Sequence, residues 1–463
     1  MKVALTRPVT FPRAGGVARC NDNGLGYLAS ACKAAGADVR INSWNEPLAL
    51  EAFREQLRSF QPDVVGVKVF TPWFRQARAT LSAVREESPS TWTIIGGPHP
   101  STSRPDDLFD EFNGLIDFAV AGDGENAMKV LLPTLMQGER GEHMAEFEKV
   151  PGLIYAKSGH IISNSSDTSL SLHELDEQDW QLQKPEWFET KLVAGQSGNA
   201  ALVSDSRGCP ARCGHCMAWR INGNRIRKLQ IEDLKELLGE LLYEHRVRVV
   251  DFTGNCFLSD KDYVLDICDW FNSQNLKVTW ACTGAEFVDT LRDRNFIESI
   301  AQAGCSAIHF GVESGNASVV RALKKPFTLP QISEAVLACS EARIRPLGYF
   351  MFGFPEETIK QMHDTISYSF SLPFESCSFC VCLPLPGTSS YEALLCQRGL
   401  DKLDWAEFDF ERPDPLPCAA SPKAVHALVL KARKLHMSEQ ERWKYRGRLV
   451  RHALGRMRNI VLR

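Results

Sequence analysis

The chain has 463 residues, 44% of them hydrophobic, and a formal net charge of −4. That length needs two or three domains with sizeable cores, and that charge gives bulk electrostatics no reason to favour nucleic acid. Fifteen scattered cysteines, no apolar run of membrane-spanning length and a strand-like start at Met1-Lys-Val-Ala-Leu5 argue against a disulfide framework, a membrane span and a leader, and for a cytoplasmic enzyme with reduced thiols and a metal site.

The first third alternates strand and helix patterns. Val3–Leu5 reads as a strand, Leu25–Ala35 as a helix entered from a glycine-rich loop, Asp38–Ile41 as a strand and Leu48–Phe60 as a helix. The run Pro62-Asp-Val-Val-Gly-Val-Lys-Val69 is apolar enough for a strand buried on both faces. Trp73–Glu87 is predicted helical, Trp92–Gly97 and Ile116–Ala121 as strands, and Asn126–Met136 as a helix. This order predicts a doubly wound parallel sheet of Rossmann type, whose ligands lie beyond the carboxyl ends of the strands. Those ends carry Thr6–Gly16, Lys68–Trp73, Gly96–Thr102 and Gly122–Asn126.

Residues 141–195 read as a connector between a first domain, 1–140, and a second, 196–395. Val150–Tyr155 and His160–Ser163 suggest a small hairpin there. Alternation then resumes. Strands are predicted at Ala201–Ser204, Arg248–Phe252, Lys277–Cys282, Ala307–Glu313, Pro346–Phe352 and Ser376–Leu383. Helices are predicted at Ile231–Glu244, Lys261–Asn272, Asp293–Ala303, Leu329–Glu341 and Glu357–Ser371. Six strands with helices between them over 196–395 predict a second βα domain, with its site at the carboxyl ends of the strands.

The loop after the first of these strands reads Arg207-Gly-Cys-Pro-Ala-Arg-Cys-Gly-His-Cys216. Cys209, Cys213 and Cys216 are spaced C-x3-C-x2-C. Three thiolates cannot complete a tetrahedral zinc site, but they can hold three irons of a 4Fe–4S cluster and leave the fourth open. Gly208, Pro210 and Gly214 suit a ligand loop better than a core segment.

This run resembles the cluster loop of the radical S-adenosylmethionine (radical SAM) superfamily. Gly311-Val-Glu-Ser-Gly315, Gly348-Tyr-Phe-Met-Phe-Gly-Phe-Pro355 and Pro384-Leu-Pro-Gly-Thr388 match later segments of that family. The resemblance implies an open (β/α)6 partial barrel over 196–395, an open iron that chelates SAM and a reduced cluster that cleaves it to a 5′-deoxyadenosyl radical. It assigns SAM contacts to Asn255, Glu313, Gly348 and Tyr349. Gly96-Gly-Pro-His-Pro-Ser101, Gly122-Asp-Gly-Glu125 and Asn23-Gly-Leu-Gly-Tyr-Leu28 resemble the cobalamin-binding domain that precedes many members. That implies cobalamin contacts at Thr6, Lys68, Gly96, Gly97, His99, Gly122, Gly124 and Glu125. No D-x-H-x-x-G motif is present, so the resemblance does not supply a histidine ligand to cobalt.

The chain also departs from the pattern. His215 stands where the family has an aromatic residue. Thr253-Gly-Asn-Cys-Phe257 replaces a paired-aspartate segment, and Thr283-Gly-Ala-Glu286 replaces one with an arginine, for which Arg345 or Lys325 could substitute. Cys377, Cys380 and Cys382 crowd the sixth strand and read as buried packing. Residues 396–463 predict a helical, basic end. Its apolar stripe suits packing on the barrel, with contact to an anionic membrane surface as the second reading.

Together these features predict a cobalamin-dependent radical SAM enzyme that methylates an unreactive carbon of a small molecule and takes electrons from a donor such as flavodoxin or ferredoxin. The alternatives are a non-methylating radical rearrangement or ring closure on the same architecture, and a cobalamin or iron–sulfur sensor.

Overall fold

Runs of β-branched and aromatic residues, buried on both faces, build two parallel sheets. The computed structural model describes residues 1–8, 21–42, 50–137, 144–166, 172, 180–183, 199–274, 276–284, 288–399, 404, 405, 408 and 416–437. The first sheet contains β1 (Lys2–Thr6), β2 (Asp38–Asn42), β3 (Val64–Lys68), β4 (Trp92–Gly96), β5 (Phe118–Val120), β6 (Leu153–Lys157) and β7 (His160–Ser163), in the order β2-β1-β3-β4-β5-β6-β7. The first five are parallel. Alternate side chains feed two cores. Val3, Leu5 and Val64 pack with Leu25 and Leu131 on one face; Ala4, Val65 and Val67 pack with Phe53, Leu81 and Phe112 on the other. This is the doubly wound arrangement expected from the βα alternation.

Two details were not visible in the pattern. The hairpin placed in the connector is part of the sheet: β6 pairs antiparallel with β5, Ala119 opposite Ile154. Two short helices follow β4: Pro98–Thr102, within the strand end expected at Gly96–Thr102, and Pro105–Phe112, for which no element was predicted. Each starts on a proline whose missing N–H costs nothing in a first turn.

The second sheet contains β8 (Ala200–Val203), β11 (Val249–Phe252), β12 (Thr279–Cys282), β13 (Cys305–Glu313), β14 (Arg345–Phe352) and β15 (Ser376–Val381). They run parallel in simple order from β8 to β15, as an open six-stranded barrel requires. Phe252, Trp280, Phe310, Phe350 and Phe352 point outward into the core shared with the surrounding helices. Between β8 and β11 lies a ribbon of two residue pairs, β9 (Ser206–Arg207) and β10 (Arg227–Lys228), which closes the base of the cysteine loop.

Both barrel edges are covered. At β8 the Asn21 side chain donates to the Leu202 carbonyl and accepts from its N–H, each at 2.8 Å, as a neighbouring strand would. At β15 the helix Pro422–His436 lies across the strand, and Arg433 donates to the Phe379 carbonyl at 2.7 Å. The more distal part of the basic end, 438–463, and about half of the connector, chiefly after residue 166, lie outside the described residues. No described helix is long and apolar enough to cross a membrane.

A buried ion network joins the two sheets. Arg207 donates to Asp123 at 2.9 Å and to Glu125 at 2.6 Å, and Arg227 donates to Asp123 at 2.6 Å. Arg207 also lies over the Tyr27 ring. Removing one partner of such a pair strands the other charge in a low-dielectric site, at about 3–5 kcal/mol. Arg207→Leu is therefore expected to lower unfolding stability by about that amount, whereas Lys235→Leu, in an exposed pair with Glu232, should change it by less than about 1 kcal/mol. Urea denaturation of both variants checks this.

Candidate functional site

The carboxyl ends of the two sheets face each other across a cavity enclosing about 1310 Å³ of empty space, its open mouth included. One wall is the first sheet: Gly66, Lys68, Gly96, Gly97, Gly122, Gly124 and Glu125. The other comes from the barrel: Ser204, Arg207, Thr253 and Asn255. Gly97 has φ +94°, and a Cβ there would meet the Val69 carbonyl at 3.1 Å. The first wall thus sets glycine backbone among apolar side chains such as Leu28, Ile94 and Met128, suited to close approach by a broad planar ligand. Cobalamin fits it.

The expected cobalamin residues divide on inspection. Lys68, Gly96, Gly97, Gly122 and Gly124 line the cavity. Glu125 lines it too, but its carboxylate is committed to Arg207. Thr6 is buried, is not part of the lining, and donates its hydroxyl to the Arg7 carbonyl. His99 is not part of the lining: it is fully buried, with Nδ1 at 3.0 Å from the Thr71 hydroxyl, Nε2 at 3.2 Å from Glu111 and its ring edge-on to Trp405. A histidine with both nitrogens engaged has none to offer cobalt. Lys68 reaches Asp22 at 3.1 Å. Burial pushes the Asp22 carboxyl up, but Lys68 and Arg7 outweigh it and hold it well below the usual carboxylate range.

The cysteine loop hangs over the barrel mouth. Gly208 is at φ +90°, and a Cβ there would come within 1.9 Å of the Arg225 carbonyl, so only glycine permits this turn. The Cys209 N–H bonds the Gly223 carbonyl, and the Gly214 N–H the Leu323 carbonyl. Burial pushes the Cys213 thiol up to about 11; the nearby Lys325 charge opposes this, while Cys216 and Cys209 reinforce it, so the three thiols share one electrostatic neighbourhood. Among the described residues, no three His, Cys, Asp or Glu side chains gather as one ion's shell. A cubane asks for something else, because each cysteine binds a different iron and the sulfurs stand apart. The loop fits that group. Cys380 and Cys382 instead meet the Phe350 carbonyl and the Ser390 hydroxyl, as packing residues do.

Beside the loop, Glu313 ends β13 at φ +63°, a strained conformation for a residue with a side chain. Lys325 Nζ is 3.1 Å and His215 Nε2 3.5 Å from its Oε1. Burial pushes the Glu313 carboxyl up, but Lys325 and then His215 more than reverse this and hold it at about 2. Glu313 Oε2 and His215 Nδ1 are buried without a hydrogen-bond partner, which fits SAM, whose polar groups could satisfy both. Of the two basic substitutes, Lys325 is in place. Arg345 opens β14 at its amino end, on the Ser306 carbonyl and Glu375. Gly348 lies mid-strand. Ala285 and Glu286 are outside the described residues.

Below the mouth lies a cluster the sequence reading missed. Asp251 (β11), His309 (β13) and Tyr349 (β14) hold the positions that alternate with the outward core. On β12, which runs between the strands of Asp251 and His309, the inward position is Ala281, and it packs with Ala307 of β13 and Leu347 of β14. The Tyr349 hydroxyl hydrogen-bonds His309 Nδ1, leaving His309 Nε2 and Asp251 Oδ1 buried and unpartnered. Burial pushes Asp251 up to about 7 against hydrogen bonds from Thr283, and pushes His309 down to about 4. The signal was present: a charged and a titratable residue each interrupt a buried strand, in Val249-Val-Asp-Phe252 and Ala307-Ile-His-Phe310.

The family described as B12 binding domain matches residues 17–132, and the Radical SAM superfamily matches residues 203–368. An uncharacterized methyltransferase of Pyrococcus horikoshii is 25% identical over 386 residues, covering 83% of this chain and 81% of that one. The anaerobic magnesium-protoporphyrin IX monomethyl ester cyclase of Rubrivivax gelatinosus is 24% identical, covering 85% of this chain and 70% of its own. Among solved structures, the radical SAM methyltransferase TsrM of Kitasatospora setae, with cobalamin and a 4Fe–4S cluster bound, superposes at TM-score 0.68 with 16% identity, over 95% of this chain and 89% of that one. At that identity the likeness concerns the fold.

Two outcomes are expected from this site. Replacing Cys209, Cys213 and Cys216 together by Ala should abolish iron uptake and the brown absorbance on anaerobic reconstitution; retention of about four irons would move the cluster elsewhere. The second concerns Asp251. With its carboxyl raised from 3.8 to about 7, the folded chain keeps a proton that the unfolded chain has lost. Stability therefore falls as pH rises through that window. Asp251→Asn should remove this slope, gaining roughly 1–3 kcal/mol over the parent at pH 8 and little at pH 4 in urea titrations.

Proposed function

We propose that this chain, whose residues 203–368 match the Radical SAM superfamily behind a B12 binding domain match at 17–132, is a cobalamin-dependent radical SAM methyltransferase acting on an unactivated carbon of a small molecule. The observation that carries this reading is the shared cavity. It places the glycine wall of one sheet opposite the barrel mouth, where the cysteine loop and Glu313 stand, so methyl donor and radical source can address one substrate. When bound, the cofactors supply hydrogen abstraction and a transferable methyl group. The chain's own residues do the rest. Cys209, Cys213 and Cys216 hold the cluster, with Lys325 offsetting thiolate charge. Glu313, His215 and Asn255 face SAM. Asp251, His309 and Tyr349 offer a substrate one unpaired acceptor and one unpaired ring nitrogen inside an otherwise apolar lumen.

The Pyrococcus relative supports methyl transfer. The Rubrivivax relative favours a second reading, ring closure without methylation, on the same fold. A cytoplasmic location and a low-potential electron donor belong to either reading. Turnover with SAM carrying a deuterated methyl group separates them. Methyl transfer is expected to put the label in the product and to yield 5′-deoxyadenosine and S-adenosylhomocysteine in similar amounts. Product without label, with 5′-deoxyadenosine alone, overturns the methyltransferase reading.

A further inference from the structure

The segment Arg207–Lys228, which contains the cysteine loop, has six Lys and Arg residues and no Asp or Glu, in a chain of net charge −4. Three of the six have carboxylate partners: Arg207 and Arg227 in the clamp, and Lys228 with Asp260 at 3.1 Å. Arg212, Arg220 and Arg225 are exposed, and no carboxylate pairs with them among the described residues. They do not spread at random. The guanidiniums of Arg212 and Arg220 lie 5.6 Å and 4.5 Å from the centre of the Trp219 ring. Trp219 sits on the one-turn helix that directly follows Cys216, and Arg212 lies between Cys209 and Cys213. A shallow cleft runs beside them, lined by Ser101, Thr102, Trp219, Arg220, Gly223 and Asn224. The outer surface of the cysteine loop is therefore a cationic patch organised on one aromatic ring.

Resting on the radical SAM reading, we propose that this patch is the docking surface for an acidic one-electron carrier protein of flavodoxin type. Clustered cations attract an acidic partner and orient it before contact, which raises association rates at low salt by about 10- to 1,000-fold. The tryptophan holds the two arginines in place, so docking costs little side-chain entropy, and Trp and Arg are residue types that anchor interfaces. The patch covers the loop that holds the cluster ligands, so electron transfer needs no path through the barrel. The step moves one electron from carrier to cluster, and no bond forms or breaks.

The test uses the full-length reconstituted protein without substrate. Its readouts are the second-order rate of cluster bleaching by photoreduced flavodoxin and, separately, the affinity for oxidised flavodoxin. For R212E/R220E we expect both to fall about tenfold or more at low salt, with the difference vanishing at high salt. R212Q/R220Q should fall by a smaller factor. Dithionite, a small reductant that needs no docking, should reduce all three proteins equally. If the Glu variant takes up less iron, the Gln variant carries the comparison. Equal flavodoxin rates and affinities in iron-replete parent and variants overturn the docking proposal. Failure of the parent to bind iron instead overturns the cluster reading beneath it.

Discussion

One buried guanidinium holds the two halves of the molecule in register. Arg207 sits at the base of the cysteine loop, and its partners Asp123 and Glu125 sit on the loop that closes the glycine-lined wall of the first sheet. Burial opposes the charged form of Arg207, but the two carboxylates win, and its proton is held more tightly than in water. A pair so desolvated tolerates little displacement, because every ångström opened exposes charge that neither water nor protein compensates. The distance between the glycine-lined wall and the cysteine loop is thereby tied to contact geometry.

Electrostatics then grades the interior. At the mouth, charge is paired: Lys325 and His215 with Glu313, Arg207 and Arg227 with Asp123. In the lumen it is not. Asp251 and His309 are pushed toward their neutral forms by burial, and each keeps an unpartnered atom. The mouth suits charged cofactors held in fixed orientation. The lumen suits a ligand group that is polar but selected from case to case, with two alanines setting the width beside it.

Much of this was legible in the chain. The strands announced themselves through runs such as Val64-Val-Gly-Val, and the cysteine spacing through its loop chemistry. What was hidden depends on partners far away in sequence. Glu125 looks like a ligand until Arg207, 82 residues on, is seen to occupy it. His99 looks available until Thr71 and Glu111 take both its nitrogens. The hairpin at 153–163 carries no mark of which sheet it will join, because an antiparallel edge pairing is written in neither period nor composition. Asp251 and His309 could have been found: a polar residue that interrupts a buried parallel strand must point somewhere, and in a barrel the inward side is the only polar option. Lys325 could be named from the sequence beside Arg345 as a basic substitute, but only the fold sets it against Glu313.

The covered barrel edges have a consequence for how the chain is made. A six-stranded barrel that does not close leaves two ladders of unpaired backbone groups, each a template for a wrong partner. The β8 edge is met by Asn21, which leaves the ribosome long before the strand it protects. The β15 edge is met by Pro422–His436, which emerges some forty residues after that strand. The nascent barrel is thus guarded on one side from birth and bare on the other for the last stretch of synthesis. Chaperone dependence and sensitivity to premature termination should concentrate at that second edge.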